Sequence, residues 1–285
     1  MEMKMHTAVA YGQSKEVGIY ALASVVNALA ADGACNPTVQ VRIMIPAYAY
    51  KSRIHTMEKI MKKACEGRSI ELQDIKSERS NVITQSMVVV TGCGDVSQDT
   101  GNQNVSSQDI VLTKWIGMEG MLRVLDEKEA ELKSRFSTSF LKQISAYKSQ
   151  VFAQKEIEIA RKRGVSHIFQ LGEGGVFAGL WNLAKETGKG LEVDLKKIPV
   201  LQETVEVCEF FRLNPYQLTS AGAMIMVTDD GEALVEMMNE QGVPAALIGK
   251  LTDNNDKILR NGDEIRYIDR PAPDELMKIF EVSGF

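Results

Sequence analysis

From Gly92 to Gln108 the chain reads Gly-Cys-Gly-Asp-Val-Ser-Gln-Asp-Thr-Gly-Asn-Gln-Asn-Val-Ser-Ser-Gln. Almost nothing in that run can be buried, so the residues on either side must build separate cores. A boundary placed there divides the 285 residues into an N-terminal domain, 1–105, and a C-terminal domain, 106–285, each of ordinary size.

Both parts alternate between strand and helix periodicity. Lys4 to Ala10 reads as a first strand. A helix follows from Ser14, its expected N-cap, to Gly33, with Ile19, Leu22, Val26 and Leu29 on one stripe. Val39, Val41, Ile43 and Ile45 alternate through a strand that Pro46 ends. A second helix runs from Ser52 to Gly67, with Ile54, Met57, Met61 and Ala64 on one face. Strands Ser69 to Leu72 and Ser86 to Thr91 complete a β-α-β-α-β-β order, an α/β layer with one sheet face left to cover. After the polar run come a strand at Ile110 to Leu112, a helix at Gly120 to Leu132 and a long helical region at Ser139 to Arg163. The rest alternates: strands at Val165 to Gln170, Leu191 to Leu195, Met224 to Val227, Ala245 to Ile248 and Glu264 to Ile268, with helices at Val176 to Glu186, Thr204 to Phe211 and Glu232 to Gln241. The fold class is α/β with mixed sheets, in two domains.

Composition removes several classes of function. Apolar residues make up 44% and charged residues 25%, and the formal charge is 33 − 38 = −5, so neither a nucleic acid nor an anionic membrane is an expected partner. No stretch is apolar enough to span a bilayer, and the N-terminus lacks the apolar run of a signal peptide. Cys35, Cys65, Cys93 and Cys208 form no Cys-x-x-Cys pair, which suits free thiols in a reducing, cytoplasmic setting.

Few residues are placed for chemistry. Gly172-Glu173-Gly174-Gly175 lies between a strand and a helix. There glycine lets the backbone turn sharply and expose amides, and the helix adds its positive dipole end, so the loop is either a phosphate cradle or a tight turn. No Gly-Lys-Ser/Thr follows, and Phe177 stands where a dinucleotide fingerprint has its last glycine. Asp74, after its strand, can offer magnesium a carboxylate or sit in an ordinary loop. Asp229-Asp230-Gly231-Glu232 reads as a turn and helix N-cap. His6, His55 and His167 share no ligand spacing, and Cys93 has no adjacent base.

The second half carries a resemblance to a known family. Glu173-Gly174-Gly175-Val176 through Leu183-Ala184, Gly190 to Asp194 and Lys197-Ile198-Pro199 resemble the central motif of the AIR synthase-related superfamily. So do Cys208 to Phe211, Leu213-Asn214-Pro215-Tyr216 and Leu218 to Gly222, with their spacing kept. The superfamily includes aminoimidazole ribonucleotide synthetase, the hydrogenase-maturation dehydratase, selenophosphate synthetase and thiamine-monophosphate kinase. Val26-Asn27-Ala28-Leu29 and Leu72-Gln73-Asp74 resemble its first-domain motifs more weakly. The resemblance implies that two first domains form a shared β-barrel in a homodimer. It also implies ATP in a cleft faced by Asn27, Asp74, Glu173, Gly174 and Gly175, with Asp74 and Glu173 holding magnesium.

Departures from the family pattern limit what the resemblance implies about activity. Ala28 stands where relatives have an acid, Leu72-Gln73 where they have Gly-Gly, and Gln170 where another acid precedes the Gly-rich loop. The early strand with paired aspartates is expected to have no counterpart in this sequence. The end, Val282-Ser283-Gly284-Phe285, lacks the cysteine on which the hydrogenase-maturation dehydratase carries its group. Two functions follow as expectations. One is an ATP-dependent enzyme that activates a carbonyl or amide oxygen or phosphorylates a small acceptor. The other is a catalytically degenerate dimeric scaffold that holds a nucleotide or other anion.

Overall fold

A computed structural model describes residues 2–96, 109–165 and 167–280. The chain divides into two compact units, Met1–Thr100 and Gly101–Phe285. The boundary expected at residue 105 lies outside the described residues.

The first unit runs β1 (Glu2–Gly12), α1 (Gly18–Ala31), β2 (Ala34–Pro46), α2 (Lys51–Glu66), β3 (Glu71–Ser80) and β4 (Ser86–Val96). Its sheet has the order β1-β4-β2-β3. Only β2 and β3 are parallel, and α2 supplies the crossover that a parallel pair requires. Val39, Val41, Ile43 and Ile45 are all buried on one sheet face, as their alternation requires. Leu22, Val26 and Leu29 of α1 and Met57 and Met61 of α2 are buried too. The other face carries Met44, Met87 and Val89 with Met3, Met5 and Val9, the last three between 50% and 66% exposed. No element of this unit covers it.

Three expectations need correction here. Ser14 caps no helix: its Oγ accepts from the Glu16 N–H at 3.1 Å, and α1 starts at Gly18. A short hydroxyl side chain closes a local turn as readily as it caps a helix. The strand expected to end at Leu72 is β3, which continues to Ser80. β3 is an edge strand paired only with β2, so its Gln, Asp, Lys and Glu residues stay solvated and leave no hydrophobic alternation to read. Finally, Gly92 to Val96 belongs to β4, and Gly92, Gly94 and Val96 are buried. A Cβ at Gly92 would lie 2.6 Å from Val25 Cγ1 of α1, so a glycine that reads as linker is what lets the helix approach the sheet.

The second unit contains β5 (Asp109–Thr113), α3 (Met118–Arg135), α4 (Thr138–Ala146), α5 (Gln154–Lys162), β6 (His167–Gln170), α6 (Gly175–Thr187), β7 (Gly190–Asp194), α7 (Gln202–Phe211), β8 (Met224–Thr228), α8 (Gly231–Glu240), β9 (Ala245–Thr252), β10 (Lys257–Asn261), β11 (Glu264–Tyr267) and the short α9 (Met277–Phe280). The sheet order is β11-β10-β7-β9-β5-β8-β6. Ile110, Leu180, Leu183, Val193, Ile225 and Ile248 belong to one core cluster. Asp230 caps α8 as expected, its Oδ1 accepting from the Ala233 N–H at 3.1 Å.

The helical region expected over Ser139 to Arg163 is broken into α4, a 3-10 turn at Tyr147–Val151 and α5. Buried Lys114 explains the break. Its Nζ donates to the carbonyls of Gln150 and Phe152 at 2.6 and 2.7 Å, so a tertiary donor satisfies oxygens that a continuous helix would have used. Lys114 also pairs with Glu156 at 2.5 Å. Burial lowers the lysine pKa and raises that of the glutamate. β10, absent from the sequence reading, is held by its parallel pairing with β7.

The close approach at Gly92 is testable. Gly92→Ala should cost about 1–3 kcal/mol through overpacking, read as a lower urea midpoint at unchanged m-value.

Candidate functional site

The Gly-rich loop leaves β6 and turns into α6. Gly174, the α6 N-cap residue, has φ 78° and Gly175 has φ 64°. Two successive left-handed residues favour glycine strongly. Space excludes a side chain as well, since a Cβ on Gly175 would lie 2.6 Å from the Tyr216 carbonyl oxygen and 2.8 Å from that of Leu218. The loop is therefore seated against the backbone of residues 216–218. The Gly172 carbonyl accepts from the Gly175 N–H at 3.0 Å and from the Ser220 N–H at 3.2 Å.

The Gly174 amide does not point at open solvent. It donates to Asp274 Oδ2 at 2.6 Å. Asp274 is 5% exposed, and its Oδ1 accepts from the Leu276 N–H at 2.8 Å. Burial raises the Asp274 pKa above the usual carboxylate range. The backbone N–H donors oppose that rise and nearby Glu119 adds to it. Glu119 is buried as well. Its Oε2 accepts from the Thr219 hydroxyl at 2.6 Å and the Ala221 N–H at 2.9 Å, and its Oε1 lies 3.7 Å from Arg123 Nη1. Glu275 extends the network, accepting from the Asn214 N–H at 3.0 Å and from Lys278 Nζ at 2.6 Å.

The other expected site residues belong to the first unit. Asn27, on α1, has no exposed surface. Asp74 is not after its strand but within β3, and a β-bulge decides which way it points. The register pairs Val39 with Leu72 and then Gln40 with Asp74, passing over Gln73. An unbroken register would place Asp74 opposite Val41 and turn it to the helix-covered face. On the uncovered face Asp74 Oδ2 meets Arg42 Nη1 at 2.9 Å and Lys76 Nζ at 3.8 Å. Beside them an open hollow of ≈ 730 Å³ is lined by Arg42, Met44, Lys76, Glu78 and Val89 among others.

Magnesium does not fit this donor set. The Asp74 carboxylate pairs with Arg42 and Lys76, Glu173 is exposed, and no group of three His, Cys, Asp or Glu able to hold a metal occurs among the described residues. Hard divalent cations require several oxygen ligands. His6 pairs with Asp32 at 2.7 Å, His55 is exposed and the His167 pKa is lowered by burial. Burial raises the Cys65 thiol to about 11 and the Cys208 thiol to about 12, and Cys93 Sγ lies 3.0 Å from Thr38 Oγ1.

Sequence reading missed Asp274, Glu119, Thr219 and Arg42. Gly174 and Asp274 are 100 residues apart, and no local spacing joins them.

A family model described as "AIR synthase related protein, C-terminal domain" matches residues 108–260, more than half of the chain. This chain belongs to the AIR synthase-related family. A putative hydrogenase expression/formation protein of Methanocaldococcus jannaschii is 22% identical over 277 residues, covering 93% of this chain and 79% of that protein. The crystal structure of HypE from E. coli, a hydrogenase maturation protein, superposes with a TM-score of 0.77 at 18% identity over 98% of this chain and 89% of that one. HypE in complex with ATP gives a TM-score of 0.78 at 16% identity, over 98% and 87%. The fold of this AIR synthase-related chain is HypE-like along nearly its whole length.

The buried Thr219–Glu119 hydrogen bond predicts a specific cost. Thr219→Val keeps the shape but leaves a Glu119 oxygen short of a donor. It should destabilise the chain by about 1–3 kcal/mol, measured by urea unfolding.

Proposed function

We propose that this HypE-like chain is a catalytically degenerate, dimeric scaffold that holds a nucleotide or other anion without magnesium-dependent turnover. The observation that carries this reading is the state of Asp74, whose carboxylate is engaged by Arg42 and Lys76 where a metal ligand would need it open. Phosphoryl transfer depends on metal clamping and charge neutralisation around the transferred group. The family and the likeness to HypE with ATP support a nucleotide as the bound molecule. Asp74, Glu173 and Gly175 are the residues proposed to face it, since Asn27 has no exposed surface and the Gly174 amide is taken by Asp274. The second reading, an ATP-dependent enzyme acting on a carbonyl or amide oxygen, draws on exposed Glu173 beside the Gly-rich loop.

Calorimetry with ATP and a phosphate-release assay separate the two. The scaffold reading expects weak ATP binding that magnesium does not strengthen, and no sustained phosphate release. Magnesium-dependent multiple turnover that disappears in Asp74→Asn would establish the enzyme instead.

The dimer is proposed through the uncovered sheet face of the first unit. Its apolar part, Met3, Met5 and Val9 on β1, Met44 on β2 and Met87 and Val89 on β4, suits burial against a second copy. Its charged part, on β2 and β3, does not. Light scattering at micromolar concentration should give a dimer, and Met5→Lys with Val9→Lys should give a monomer of unchanged helix and strand content.

A further inference from the structure

A helix that begins with two left-handed glycines offers an anion its first amides and its positive dipole end. In this chain that position is filled from within. The segment 269–280 crosses the Gly-rich loop, with the Ala272 carbonyl 3.8 Å from where a Gly174 Cβ would stand. It delivers the Asp274 carboxylate to the Gly174 N–H at 2.6 Å, a charge-assisted distance. Neighbouring bonds fix the delivery. The Leu276 N–H binds the other carboxylate oxygen, the Glu275 N–H donates to the Gln217 carbonyl at 3.2 Å, and the Glu275 carboxylate takes the Asn214 N–H. Asp274, Glu275, Leu276 and Ile279 are all buried, so the segment is packed on the unit rather than laid over it.

We propose that the chain carries its own anion for the Gly-rich loop: the Asp274 carboxylate, brought in by residues 269–280, takes the Gly174 amide in place of a ligand phosphate and keeps that amide closed to one. The loop is then a finished structural joint that needs no nucleotide to order it. Because the claim concerns one amide and its acceptor, it goes beyond the scaffold reading and stands whether or not a nucleotide binds elsewhere on the protein.

Hydrogen exchange at single amides in the full chain tests it, with pyrophosphate as the probe and sodium chloride at matched ionic strength as the reference. In the wild type, exchange at Gly174 and Leu276 should be slow and the same in both salts. In Asp274→Ala, Gly174 should exchange faster in chloride and slow by about tenfold in pyrophosphate, as the added anion takes the vacated place. Lack of any pyrophosphate effect on the variant would overturn the proposal, because the amide would then have no affinity for the anion that Asp274 is said to replace. If Asp274→Ala does not fold, the wild type decides alone. Faster exchange at Leu276 on adding pyrophosphate or magnesium–ATP means that the ligand displaces Asp274, and the joint is not closed; unchanged exchange at both amides upholds it. A scaffold that fails to bind ATP fails in calorimetry and leaves these exchange rates as they are.

Discussion

Asp274 accepts from the Gly174 and Leu276 N–H groups, and Glu119 accepts from the Thr219 hydroxyl and the Ala221 N–H. Between them these two buried carboxylates tie together the Gly-rich loop, the stretch around Ser220, the start of α3 and the C-terminal segment. Burying a carboxylate costs several kcal/mol unless its oxygens are bonded, and each hydrogen bond to a charged acceptor returns about 1.5–3 kcal/mol. Both acids are supplied with amide donors, so the cost is offset only while every loop stays in place. The glycines at 174 and 175 belong to the same constraint. A side chain on Gly175 would strike the Tyr216 and Leu218 carbonyls and lift the loop away from the acceptor that its neighbour needs.

The first unit shows a different economy. Its sheet buries one face under two helices and leaves the other with methionines and valines on β1, β4 and the end of β2 and with charges on β2 and β3. A sheet with one bare, partly apolar face is an unfinished layer, and the division of that face separates a region suited to a second copy from one suited to solvent. The β-bulge after Val39 creates the charged region, because it turns Asp74 toward Arg42 and Lys76.

Much of the fold was legible because its signals are local. Alternation at Val39, Val41, Ile43 and Ile45 and helical spacing at Leu22, Val26 and Leu29 each follow from the geometry of a single element, and Asp230 caps a helix through its own turn. Errors fell where a local signal was absent or shared. β3 and β10 are strands whose residues are largely polar, and their place is held by hydrogen bonds to β2 and β7. Gly92 and Gly94 have the composition of a linker, yet they are strand residues kept small by the helix above them. The long helical region broke because Lys114 captured two of its carbonyls.

By itself the sequence determined the α/β class, the order of most elements, the family and the Gly-rich turn into α6, since periodicity and motif spacing are properties of neighbouring residues. It also named Asp74 and Glu173 as acids worth watching. Only the tertiary structure decided what those groups face. Asp74 meets Arg42 because of a register shift between two strands, and the Gly174 amide meets Asp274 across 100 residues. A hydrogen bond of that span is set by how the whole unit packs, and no window of sequence contains both of its ends.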